Sequence, residues 1–371
     1  MTATSSRPRD HRSVEVYVHR SKIAAPAGMV FEWHERPGAF ERLTPPWERM
    51  TVIERSGGIE DGARAVVQIH IGPLTARWIA EHRDYVAGRQ FRDVQIAGPF
   101  ARWEHTHRVE PAGPDACYLE DHIEYALPLG AIGALLGGPA VRRRLRRTFA
   151  YRHRVMQQDI AAHVRTGGRN MKVAITGSAG LIGGALLPML TSGGHEVVRI
   201  VRRGAAGRGV VVWDPDASTL DGAALEGVDA VVHLAGESIF GRWTAAKKAR
   251  IRDSRVNGTH LLVETLNRLA QPPKALIAAS AIGYYGNRAD DIVDEECAPG
   301  AGFLCDVCRE WEAATQPAAR RMRVVNLRFG VVLSPAGGAL ATMLTPFRLG
   351  VGGPIGSGGQ YMSWIAIDDA I

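Results

Sequence analysis

The sequence predicts two domains of different class. An α+β domain, in which a curved antiparallel sheet wraps a long terminal helix, precedes an α/β domain with a doubly wound parallel sheet. Three observations predict this. Residues 14–125 carry short alternating strands separated by turn residues, with a long amphipathic helix after them. From Met171 onward strands alternate with helices, which implies a parallel sheet covered on both faces. Between the two lies Thr166-Gly-Gly-Arg-Asn170, a polar, glycine-rich break, and 371 residues are ample for two cores.

Residues 1–12 are polar and lack an apolar signal core, so they read as a disordered tail. The first domain is placed at 13–165, the linker at 166–170 and the second domain at 171–371. No run reaches the roughly 18 apolar residues of a membrane span. Leu127–Val141 is too short and is broken by glycine and proline. A cytoplasmic protein is expected.

In the first domain, Val14 to Ile23 alternates as a strand, and a short helix from Gly28 to Glu35 follows Pro26. Strands are predicted near Met50–Ser56, Ala63–Ile71, Leu74–Tyr85, Gln90–Gly98, Ala101–Glu110 and Cys117–Tyr125. Turns lie at Gly57-Gly58, Gly72-Pro73, Gly88 and Pro111–Pro114. The closing helix is predicted from about Gly138 to Val164. It interleaves Val141, Leu145, Phe149, Val155 and Ile160 with Arg142, Arg143, Arg144, Arg146, Arg147, Arg152 and Arg154. This reads as a solvated arginine face rather than a nucleic-acid or membrane patch, since no nucleic-acid motif accompanies it.

This element order resembles the START/polyketide-cyclase-like superfamily, the helix-grip fold. Three local features carry the resemblance: the helix from Pro26 to Glu35, the Leu43-Thr-Pro-Pro-Trp47 loop and Phe149-Ala-Tyr-Arg-His153. It implies an apolar ligand held between sheet and helix.

Residues 1–165 hold ten of the thirteen histidines. His105 and His107 share a strand face, while His34, His70, His82 and His122 are scattered. No compact ligand spacing appears, so structural or solvated histidines are expected and no metal site. Trp33, Trp47, Trp78 and Trp103 read as core or as pocket lining.

In the second domain, strands are predicted at Lys172–Thr176, Glu196–Val201, Gly209–Trp213, Ala230–Leu234, Ala275–Ala279 and Arg323–Phe329. Helices fill Leu181–Thr191, Ala245–Ala270 and Phe303–Gln316. Among four cysteines, Cys305 and Cys308 stand one helical turn apart and read as a core-facing pair, with no second pair to complete a metal site.

The first strand ends in Gly177-Ser-Ala-Gly180-Leu-Ile-Gly183 before a helix. Gly177 permits the turn, Gly180 lets the backbone approach a pyrophosphate, and Gly183 allows helix and strand to pack closely. The phosphates would sit on free N–H groups at the helix start. The second strand ends in Arg202-Arg203 rather than in an acidic residue. Guanidinium groups suit the 2′-phosphate of NADP, with NAD the second choice. Cofactor residues are therefore placed at Gly177, Ser178, Gly180, Leu181, Ile182, Gly183, Arg202, Arg203, Leu234, Ala235, Gly236 and Arg328.

The glycine spacing resembles the extended short-chain dehydrogenases. Within them the second domain is similar to an epimerase-like atypical branch of largely unknown activity. The matching text is Leu234-Ala-Gly-Glu237, Arg242-Trp243, Ser254-Arg255, Gly283-Tyr-Tyr-Gly286, Phe303-Leu304, Val307-Cys-Arg-Glu-Trp311-Glu312 and Leu327–Ser334. One departure matters. The usual Tyr-x-x-x-Lys pair should fall near position 303, where the chain has Phe303 and Val307. Ser280 keeps its place. A proton then comes from Tyr284 or Tyr285, from Glu237 or another acid, or from no residue at all.

The reading is an NADP-dependent oxidoreductase or epimerase acting on a small molecule, with an apolar ligand in the first domain and no nucleic-acid partner. The alternative is a regulatory protein that binds NADP and ligand without turnover. Relatives of this branch continue past the helix that begins near Ile371, so a second domain cut short at its C-terminal end is expected.

Overall fold

The computed structural model describes residues 14–71, 74–167, 169–354 and 356–371. The tail expected at 1–12 lies outside the described residues. The chain divides into two compact units, Met1–Gly168 and Arg169–Ile371.

The first unit runs β1 (Glu15–Ile23), α1 (Ala27–Glu35), α2 (Ala39–Leu43), β2 (Met50–Ser56), β3 (Arg64–Ile71), β4 (Leu74–Val86), β5 (Gln90–Ala97), β6 (Arg102–Pro111), β7 (Cys117–Ala126) and α3 (Gly130–Arg165). The strands form one seven-stranded antiparallel sheet in the order β1-β7-β6-β5-β4-β3-β2. Register shifts interrupt β4 where it pairs β5 and β2 where it pairs β3, and such bulges raise local twist and bend the sheet. Leu145, Phe149, Met156 and Ile160 of α3 are buried at helical spacing, so one stripe faces the core. Leu145 and Phe149 pack with Trp103, Ile123 and Tyr125, while Met156 and Ile160 pack with α1 through Val30, Phe31 and Trp33.

Helix α3 starts at Gly130, about two turns before the predicted start at Gly138. Gly137-Gly138-Pro139 reads as a stop, because proline leaves the carbonyl four residues back without its helical partner. Here that carbonyl belongs to Leu135, which is 79% exposed, so water can bond it and the helix continues. The arginine face is largely solvated and paired: Arg142 bonds Glu15 at 2.6 Å, Arg144 pairs with Glu48, and Arg147 lies over Trp47.

The second unit runs β8 (Lys172–Thr176), α4 (Leu181–Ser192), β9 (Glu196–Val201), β10 (Val210–Asp214), β11 (Thr219–Leu220), β12 (Ala230–His233), α5 (Ala245–Arg268), β13 (Ala275–Ala281), α6 (Phe303–Thr315), β14 (Arg323–Phe329), β15 (Val331–Leu333), α7 (Gly338–Arg348), β16 (Trp364–Ala366) and α8 (Ile367–Ala370). Its sheet order is β11-β10-β9-β8-β12-β13-β14. All pairs are parallel except β10–β11. Without β11 this is the doubly wound order in which the chain turns back beside its first strand, and ligands bind at that switch point. Cys305 and Cys308 both face the core from α6. Among the described residues, no helix is long and apolar enough to cross a membrane.

Candidate functional site

The switch point between β8 and β12 holds a cavity of about 770 Å³ at the carboxyl ends of the strands. Its walls include Gly177, Ser178 and Gly180 after β8, Arg202 and Arg203 after β9, Asp214 after β10, and Leu234, Ala235 and Gly236 after β12. A side chain at Gly177 is excluded twice: its φ is +70°, and a Cβ would lie 2.8 Å from the Leu234 carbonyl. At Gly183 a Cβ would lie 2.4 Å from the Gly177 carbonyl oxygen, so this glycine lets α4 pack under the turn. Gly180 caps α4 with no side chain bonded to the first-turn N–H groups, which leaves an anion site.

The cavity wall carries charges of both signs. Asp214 is engaged by its own turn, accepting from the Asp216 and Ala217 amides at 2.9 and 3.1 Å. Glu237 lies 2.6 Å from Lys247, whose bond holds the carboxyl below its ordinary range. Glu237 is thus a charged partner and a poor proton donor. Asp216 and Asp253 also stand on the wall with Arg202, Arg203 and Arg250, and Arg250 Nε lies 3.9 Å from Glu237.

Beneath the turn, His233 bridges Thr176 Oγ at 2.7 Å and Thr259 Oγ at 3.0 Å. Thr176 Oγ in turn accepts from the amides of Leu234 and Ala235, both at 3.1 Å. The cavity wall is therefore tied to β8 through one hydroxyl.

Three of the expected cofactor residues on α4 stand behind the cavity rather than on its wall. Leu181 reaches toward Gly337 and Gly338, Ile182 is half-buried on the helix, and Gly183 packs under the turn. Arg328 is also elsewhere. It makes a two-pronged pair with Glu312, both bonds 2.9 Å, and it donates to Tyr285 Oη at 2.9 Å. Its guanidinium lies 3.6 Å over the Tyr284 ring. Ser280 Oγ donates to Glu312 at 2.6 Å, so its proton is committed there. Ser280, Tyr284 and Tyr285 are thus brought together, and Glu312 and Arg328 join them. The positions where tyrosine and lysine were expected lie on α6: Phe303 stacks edge-on against Trp243, and Val307 is buried.

In the first unit a second cavity, of about 420 Å³, lies between sheet and helix. Its wall is mostly apolar, with Val67, Ile69, Trp78, Phe100, Trp103 and Phe149 among its residues. Asp93, His105 and Arg152 interrupt that wall. Expected as scattered or solvated, several histidines instead converge in the interior. His105, His107 and His153 are buried together with Asp121. Burial pushes Asp93 and Asp121 up, but bonds from these histidines outweigh it and hold both carboxyls well below the usual range. His34, buried against His107, is pushed down to about 4.

The profile of the NAD dependent epimerase/dehydratase family matches residues 173–371, more than half of the chain. The chain belongs to that family. A second profile, polyketide cyclase / dehydrase and lipid transport, matches residues 23–150. Epimerase family protein Mb2239 of Mycobacterium bovis is 48% identical over 204 residues, which cover 54% of this chain and 67% of that protein. The human epimerase family protein SDR39U1 is 39% identical over 204 residues, with the same shares of 54% and 67%. The match thus spans about two thirds of these curated relatives. Among solved structures, a nucleoside-diphosphate sugar epimerase from Corynebacterium glutamicum is similar over 95% of this chain and 73% of its own, at 35% identity and a TM-score of 0.78. Human SDR39U1 with NADPH covers 54% of this chain and 67% of its own, at 38% identity and a TM-score of 0.50.

In this epimerase-family chain the glycine turn and the arginine pair stand where the sequence places them. The Thr176–His233–Thr259 chain and the Glu312–Arg328 pair were missed. His233 ends a strand whose apolar run gives no sign of a partner across the sheet, and Glu312 is one acid among several on α6.

Proposed function

We propose that this epimerase-family chain is an NADP-dependent oxidoreductase or epimerase of the atypical short-chain type, and that its first domain binds an apolar ligand. The observation that carries the proposal is the switch-point cavity, which has Arg202 and Arg203 on its wall beside the uncapped first turn of α4. The human relative with NADPH supports the same choice of cofactor.

A bound nicotinamide supplies or accepts a hydride. The protein's own residues do the rest. Gly177 and Gly180 let the backbone approach the pyrophosphate, the open first turn of α4 binds it, and Arg202 with Arg203 pairs the 2′-phosphate. Tyr284 Oη is the proposed proton carrier, and Tyr285 Oη, which accepts from Arg328, stands beside it. Arg328 lies 3.6 Å over the Tyr284 ring, and Glu312, held by Ser280, fixes Arg328 there. Ser280 is then a positioning residue.

Calorimetric titration with NADPH tests the cofactor half, and no binding by folded protein overturns it. A second reading, binding without turnover, is favoured by Phe303 and Val307 standing where the tyrosine and lysine of active relatives are expected. NADPH absorbance that stays constant across a panel of carbonyl substrates supports that reading over the first.

A further inference from the structure

One row of polar side chains crosses the inward face of the first sheet, where apolar residues would be expected. Strand pairing sets it directly. His82 on β4 is opposite Asp93 on β5, and Asp93 is opposite His105 on β6. His107, two residues on, shares the face of His105 and is opposite Asp121 on β7. His153 reaches Asp121 from α3 at 2.5 Å. Histidine and aspartate alternate along the row.

The contacts within the row fall into two classes. Those to Asp93 Oδ1 and to Asp121 are short: His82 Nε2 to Asp93 Oδ1 is 2.8 Å, and His105 Nε2 to Asp121 Oδ1 is 2.8 Å. Those around Asp93 Oδ2 are long, at 3.5 Å to His105 Nδ1 and 3.3 Å to His107 Nε2. Charge-assisted hydrogen bonds close to about 2.7–2.9 Å, so these two gaps are too wide for strong ones. They suit something else. Donor atoms bound at about 2.0–2.1 Å on a tetrahedron lie about 3.3 Å from one another. The three atoms all lie within 4.8 Å of each other.

His105 Nε2 lies 2.8 Å from Asp121 Oδ1, which turns Nδ1 of the same ring toward Asp93 Oδ2. Asp121 lies 2.7 Å from His107 Nδ1 as well, and His82 anchors the other oxygen of Asp93. This is the arrangement in which carboxylates and imidazoles outside a metal orient its ligands.

We propose that Asp93, His105 and His107 form a site for a divalent first-row transition ion of the zinc or iron class, independent of the dinucleotide site. Two imidazoles and one carboxylate are a donor set these ions take, and three protein ligands leave positions open. Asp93 and His105 both line the apolar cavity of about 420 Å³, so an open position faces it. The ligand class is then an apolar molecule carrying a carbonyl or hydroxyl oxygen that reaches the ion while its hydrocarbon part lies against Trp78, Phe100 and Trp103. Arg152, on the same wall, donates Nε to the Leu43 carbonyl at 3.0 Å and offsets part of the charge of Asp93 and Asp121.

The test uses the full chain without a histidine tag, stripped by chelator and titrated with Co²⁺. The expected result is a visible ligand-field band that saturates at one equivalent and is displaced by Zn²⁺. Asp93→Asn and His107→Gln should each abolish it. Asp121→Asn, outside the ion's own shell, should weaken binding about 10- to 100-fold. His122→Gln, on the opposite sheet face, should leave it unchanged. Absence of a stoichiometric band in the unsubstituted protein overturns the proposal, and so does a band undiminished in both Asp93→Asn and His107→Gln. If those variants do not fold by circular dichroism, paramagnetic shifts of the His105 and His107 ring protons in the native chain decide. Shifts confined to other histidines overturn it.

Discussion

Thr176 Oγ donates to His233 Nδ1 across 2.7 Å, and the neighbours of the pair fix that direction. Thr259 spends its proton on the Arg255 carbonyl at 2.6 Å and so accepts from His233 Nε2 at 3.0 Å. His233 is therefore neutral, with its proton on Nε2 and its Nδ1 an acceptor. With its own proton given to the imidazole, Thr176 Oγ offers its lone pairs to the Leu234 and Ala235 amides.

Thr176→Val removes that hydroxyl while keeping the shape. Leu234 N retains the Thr176 carbonyl at 3.3 Å, but Ala235 N and His233 Nδ1 lose their partner. A stability loss of about 2–3 kcal/mol is expected for the second domain in urea unfolding. NADPH affinity should fall roughly tenfold, since Leu234 and Ala235 form the cavity wall. Thr176→Ser should restore both. Equal NADPH affinity in the valine and serine variants would show that the turn does not depend on this bond.

The same histidine predicts a pH response. Burial pushes His233 down to about 4, against about 6.5 in an unfolded chain. Between those values the unfolded chain takes up a proton that the folded one refuses. Stability present above pH 6.5 is therefore lost as pH falls toward 4, by about 3 kcal/mol from this group. In His233→Asn the second domain should lose that part of the slope. Denaturant midpoints of both proteins across the window check it, and parallel curves would rule it out.

Much of this was legible because it is local. The glycine turn states its own backbone needs, and alternation of strand and helix states the parallel sheet. What was not legible depends on register. Period-two alternation places His105 and His107 on one face, but nothing in the sequence says that Asp93 and Asp121 stand opposite them. Turn lengths and the bulge near Arg83 decide that. The start of α3 was missed because Pro139 signals a stop that solvent makes harmless. Helix α7 and β15 were missed because a three-residue strand and a glycine-flanked helix carry no usable period.

Arg202 and Arg203 are exposed and line the cavity, so their removal should cost little stability. Replacing both with alanine should weaken NADPH by about 10- to 100-fold, the loss of one or two charge-assisted bonds. NADH, which has no 2′-phosphate, should lose far less. Competition calorimetry with the two cofactors measures the ratio, and an equal loss would assign the arginines to general field effects.

Arg42 and Asp159 predict the cost of opening the first domain. Arg42 Nε and Nη2 each lie 2.7 Å from a different oxygen of Asp159, and both side chains are buried. The pair ties α2 to the inner face of α3, next to Phe40 and Thr44 on the cavity wall. Arg42→Met leaves a carboxylate in the interior without its guanidinium, which should cost about 3–5 kcal/mol in the first domain's unfolding transition. Removing both charges is a different experiment. Arg42→Met with Asp159→Leu replaces the pair with hydrocarbon of similar volume and should recover most of that loss. If the double variant is as unstable as the single one, shape rather than charge holds α2 in place. In that case uptake of an apolar fluorescent probe by the cavity should fall equally in both.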